Sequence, residues 1–172
     1  QPYYLSKGIV CFSAAFITIV IPLILNFAVT AAFIPSTVPQ INYEIYNHVY
    51  FGAMWADLFY THPALYVTLY ILLDGLFAGL IALIGYAFSF YITNQFAAAA
   101  FPLLLFWGID YLSGLLARAI PGEKWSYEIS PIAYLHPATL RYDPNAAIIL
   151  IEAVMLFCSA IAIIFKRGVW HE

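Results

Sequence analysis

Along the chain, four long apolar stretches alternate with one short turn and two long segments punctuated by proline. A helix crosses the ~30 Å hydrocarbon layer with about 20 apolar residues. The stretches over residues 8–30, 64–90, 96–116 and 146–165 meet that length. The first carries no charge, and each of the others is interrupted by a single carboxylate: Asp74, Asp110 and Glu152. A barrel strand needs about ten residues of alternating polarity, which these uninterrupted runs lack. The pattern predicts an all-α, polytopic helical membrane protein. Residues 1–172 form a single transmembrane domain, with four transmembrane helices and two long outer loops.

Four spans place both termini and the turn Tyr91 to Gln95 on one side, and residues 31–63 and 117–145 on the other. In the turn YITNQ, Asn94 and Gln95 end one helix and start the next. In the first long loop Pro35 and Pro39 stop the preceding span, and Thr61-His62-Pro63 starts the following one. Between them Ile41, Ile45, Val49, Met54, Trp55, Leu58 and Phe59 predict short amphipathic helices lying in the interface. The second loop is broken at Pro121-Gly122, Ser130-Pro131, His136-Pro137 and Asp143-Pro144, which predicts turns and short helices. A partly re-entrant excursion there requires that protein shield its backbone from lipid.

Composition sharpens the class. Hydrophobic residues make up 65% of the chain and charged residues 9%, against about a quarter charged in a soluble domain. That excludes disorder, a basic nucleic-acid module and an ordinary cytosolic enzyme. The net charge of −3 adds little, because charge in a membrane protein acts by location. Lys7, Lys166 and Arg167 on the terminal side balance Arg118, Lys124 and Arg141 on the loop side. The pair Lys166-Arg167 abuts a span end and the loop side is richer in acids, so the termini are expected in the cytoplasm. The first apolar run is about twice the length of a signal-peptide core and has no small-residue cleavage site. The chain opens without Met and reads as processed or partial. Cys11 and Cys158 sit in apolar runs and form no disulfide or metal motif.

Candidate chemistry is confined to few positions. A charged carboxylate near mid-bilayer costs about 2.5–3.5 kcal/mol on insertion scales, so Asp74, Asp110 and Glu152 should face the bundle or an interface. Two readings stay open: a polar cluster in a substrate pathway or proton relay, and helix–helix hydrogen bonding or snorkelling. Asn26, one turn beyond Pro22, marks either a kink beside such a pathway or a kink re-satisfied by neighbours. An intramembrane aspartyl protease is disfavoured, since WGIDYL lacks the Gly-x-Gly-Asp pattern. The four His residues fall outside the spans, which leaves no serine–histidine, haem or metal site within them. Gly75, Gly79 and Ala82 form a small-residue ridge suited to packing within the chain, and Ala97 to Ala100 offers a similar close contact. No G-x-x-x-x-G-K-[ST] loop occurs, so the chain is expected to have no enzymatic activity of its own and any ATP is hydrolysed by another subunit.

Several passages carry a family resemblance: YYLSKGIV, THPALYVTLYILLDGLFAGLIALIGYAFSF, TNQFAAAAFPLLLF, SPIAYLHP and IFKRGVW. With them the chain resembles the transmembrane permease subunit of type-two ATP-binding-cassette (ABC) exporters, over roughly the last four of six spans. The resemblance implies a second permease copy as partner, in a homodimer or heterodimer, within the lipid bilayer of the cell membrane. It also implies a cytoplasmic ABC ATPase subunit that holds ATP and Mg, with no cofactor in this chain and no nucleic acid. The two N-terminal spans of the family and its coupling helix are then absent from this chain. That leaves Tyr4, Lys7, Asn94, Gln95, Lys166 and Arg167 as expected ATPase contacts. Asn26, Asp74, Asp110 and Glu152 are the expected substrate pathway for an amphipathic or hydrophobic substrate, with a peptide as one such case, moved outward by alternating access. The competing expectation is a non-transporting scaffold or accessory subunit that binds partners through its outer loops.

Overall fold

The computed structural model describes residues 2–34, 49, 53–119, 130–136 and 146–169. Ile41, Ile45, Pro121, Gly122, Asp143 and Pro144 lie outside the described residues. The helices are α1 (Pro2–Phe33), α2 (Ala56–Thr61), α3 (Pro63–Ser89), α4 (Gln95–Ala119), α5 (Pro131–Tyr134) and α6 (Ala146–Val169). Among the described residues there is no strand. α1, α3, α4 and α6 are long and apolar enough to cross a membrane.

Local chemistry sets the helix starts. Pro63 opens α3, where its missing N–H is no loss. Asn94 caps α4: its Oδ1 accepts the Phe96 N–H at 2.9 Å, and its carbonyl accepts the Ala98 N–H at 3.0 Å. α1 runs through Pro22 and α4 through Pro102.

α3 is the hub, in contact with α1, α2, α4 and α6. α1 lies antiparallel to it, with Phe12 against Gly79, and Phe16 with Val20 against Gly75. A Cβ on Gly79 would sit 2.6 Å from the Phe12 ring, so the small-residue ridge is consumed by packing within the chain. α4 is also antiparallel to α3: Pro102 fits the notch at Gly85, and the Phe88 and Phe101 rings meet at 4.3 Å. α6 runs parallel to α3, pairing Leu83, Ile84 and Ala87 with Ala160 and Ile164 at the turn end.

The alanine run has one half-buried member, Ala98. Ala97, Ala99 and Ala100 are exposed, and α4 meets α3 through Phe101, Pro102 and Leu105 instead. The Gly85 notch receives the proline ring, on the helix face that also carries Ala98. At the loop end, residues 53–61 pack on α3. Met54 and Tyr60 are buried, and the Tyr60 hydroxyl donates to the Val49 carbonyl at 2.9 Å. Trp55 takes a left-handed conformation (φ 60°, ψ 27°), which costs a non-glycine residue about 1–2 kcal/mol. Its indole stands edge-on to Tyr70 at 5.6 Å, a contact that holds the turn in place.

Candidate functional site: a polar centre within the bundle

The three span carboxylates lie at one level. Asp74 sits about 16 Å down α3 from its loop end, at 1.5 Å per residue. The antiparallel register set by Gly85–Pro102 and Phe88–Phe101 brings Asp110 level with Phe77. Glu152 precedes Ala153, which shares a cleft with Leu73 and Leu76 of α3. All three side chains are half-buried.

What reaches them is the short α5 segment. Ser130 is its N-cap, and its hydroxyl accepts the Ala133 N–H at 3.3 Å while donating to Asp110 Oδ1. One turn later the Tyr134 hydroxyl donates to Glu152 Oε2 at 3.0 Å. His136, whose Nδ1 lies 3.1 Å from the Ile132 carbonyl, stands within electrostatic reach of Asp74. Residues 130–136 thus hydrogen-bond carboxylates on two different spans, Asp110 and Glu152.

α5 reaches deep into the bundle. Tyr134 is fully buried, with its ring against Phe77 at 5.3 Å, and Phe77 lies about 21 Å along α3 from the loop end. Backbone at that depth survives only where protein covers it. Here Ser130, Pro131 and Tyr134 are all buried, and the segment closes its own hydrogen bonds, with Leu135 N–H to the Pro131 carbonyl at 3.1 Å.

The other expected site residues are placed elsewhere. Asn26 is exposed on α1 and joins none of the carboxylates. Tyr4 is engaged internally, its carbonyl accepting from the Tyr86 hydroxyl at 3.2 Å and its ring edge-on to Phe90. Lys7 is exposed, with its ammonium 4.4 Å from the Tyr3 ring centre. Asn94 is occupied as a helix cap. Gln95 opens α4, and Lys166 and Arg167 continue α6 beyond its apolar run. Ser130, Tyr134 and His136 were not singled out from the sequence as partners of the carboxylates. The one local signal was Ser130-Pro131, a cap residue followed by a helix-opening proline.

Two apolar clefts flank the centre. One of about 250 Å³ opens among α1, α3 and α6, lined by Gly8, Phe12, Leu83 and Ile164 among others. The second, about 160 Å³, lies between Met54, Trp55, α3 and α6. Neither is lined by a carboxylate. Among the described residues no three His, Cys, Asp or Glu side chains come together as a metal site.

Four spanning helices gathered on α3, with a polar centre between them, define a polytopic α-helical membrane protein. Comparison with protein-family models, with curated proteins and with solved structures gives no match.

Proposed function

We propose that this chain is the transmembrane permease subunit of an ATP-driven exporter of the ABC type, moving an amphipathic or hydrophobic substrate outward across the cell membrane. The observation that carries this reading is the position of the polar groups. Two of the three span carboxylates, Asp110 and Glu152, accept hydrogen bonds from one buried segment, at the level where a path between α3, α4 and α6 would be shut. A bundle that only anchors has little use for carboxylates at that depth, given their insertion cost. The sequence resemblance supplies the direction, the paired permease and the cytoplasmic ATPase. In this reading both termini lie in the cytoplasm, and ATP closure of the ATPase pair moves rigid groups of helices.

The test is gentle purification of the native protein, followed by mass spectrometry of the chains that accompany it. A Walker-motif ATPase at near one-to-one ratio is the expected result. Its reproducible absence from folded protein would remove the reading. One observation favours a scaffold instead: α4 turns Trp107, Tyr111, Leu103 and Leu104 outward, a broad face for a partner in the membrane plane. ATP-dependent substrate movement in vesicles separates the two.

A further inference from the structure

The two hydrophobic cores treat α4 differently. The turn-end core, built on Leu83, Ile84, Ala87, Ala160 and Ile164, includes Phe101 and Leu105 of α4. The loop-end core draws on α2, α3, α5 and α6, with Phe12 of α1, and takes no residue from α4. At the turn end the contact is also close: Pro102 Cγ would lie 2.5 Å from a Cβ on Gly85, and the Phe88 and Phe101 rings stack beside it. Proline in the middle of a helix removes a backbone hydrogen bond and gives the axis a place to bend. Beyond it, a Cβ on Gly108 or Gly114 would meet nothing within 4 Å, and Ser113 is buried. Among the described residues, a side-chain hydrogen bond from the Ser130 hydroxyl to Asp110 ties this half of α4 to α5. Ser130 is in turn tied through Tyr134 to Glu152 of α6.

We infer that α4 is a lever, with its pivot at the Gly85–Pro102 notch and its loop-end half latched by α5 through Asp110–Ser130 and Tyr134–Glu152. Release of the latch swings the loop-end half of α4 away from α6 while the turn-end half stays seated. Apolar packing fixes the pivot, which is hard to break in part. Two hydroxyl–carboxylate bonds close the latch, on a segment whose Ser130 and Tyr134 are themselves buried. The device stands apart from the transport reading, because it operates in the chain without an ATPase.

The experiment is pulsed electron–electron distance measurement on the full chain in lipid nanodiscs. Cys11 and Cys158 are replaced, and nitroxides are placed at exposed positions. Leu116→Cys with Leu150→Cys reads the loop end, and Phe96→Cys with Phe165→Cys reads the turn end. In a Ser130→Ala, Tyr134→Phe background the loop-end distance should lengthen by about 5 Å, close to one helical pitch, with the turn-end distance unchanged. Unchanged distances at both ends in folded protein would overturn the latch. Lengthening at both ends would overturn the pivot. Where the double variant does not fold, Ser130→Ala alone keeps Tyr134 as anchor for α5 and must still shift the loop-end distance. If it leaves that distance unaltered, the proposal falls.

Discussion

Tyr134 shows how one hydroxyl gives a buried carboxylate its place. The phenol donates to Glu152 at 3.0 Å from a side chain with no exposed surface. Tyr134→Phe should keep the ring against Phe77 and lose the bond, at a cost of about 1 kcal/mol, the upper part of the range for hydrogen bonds inside membrane proteins. Glu152→Gln leaves an acceptor in place and should cost less. Reversible unfolding in mixed micelles measures both, and a Tyr134→Phe protein as stable as its parent would show that the bond carries no net weight. At this scale the sequence disclosed only half of each pair. A lone carboxylate in an apolar run declares that it needs a partner. The partner sits 18 residues away in a segment with no hydrophobic period, so only the folded chain identifies it.

At the scale of elements, apolar length and helix-start chemistry sufficed. Four spans, the tight turn with Asn94 as cap, and the start at Pro63 were all legible, because each depends on neighbours within a few residues. Contacts between helices were legible only where small residues recur. Gly75 and Gly79 proved to be the seat of α1, while in the alanine run only Ala98 is half-buried and Ala97, Ala99 and Ala100 are exposed. An alanine run states that close approach is possible, and the shape of the opposing helix decides whether it happens. The glycines therefore divide sharply in what they tolerate. Gly79→Leu drives a side chain into Phe12 and should destabilise by about 1–3 kcal/mol. Gly108→Ala meets nothing within 4 Å and should be neutral or stabilise α4 by up to about 1 kcal/mol. Thermal unfolding of the two variants in one detergent gives the comparison, and equal midpoints would contradict the packing described.

For the whole molecule, the alternation of directions is the main constraint. α1 and α4 run antiparallel to α3, and α6 runs parallel to it. The turn at Tyr91 therefore lies at the same end as Tyr3, and Thr61 at the opposite end. Single cysteines at these exposed positions, in protein freed of Cys11 and Cys158, should react with an impermeant thiol reagent in two groups. Tyr3→Cys and Tyr91→Cys should label from the cytoplasm and Thr61→Cys from outside. Labelling of all three from one side would refute the four-span arrangement.

The insertion of α5 between spans also fixes an order of assembly. Synthesis proceeds from the N-terminal side, so residues 130–136 leave the ribosome before Glu152 exists to receive Tyr134. Until the last span is in place, Tyr134 lacks its acceptor and the backbone of the segment lacks part of its cover. The segment must therefore wait in the headgroup layer or outside it and be drawn inward once α6 has entered. Docking of α5 on Glu152 then follows the entry of α6, and a chain that stops short of α6 leaves Tyr134 without its acceptor.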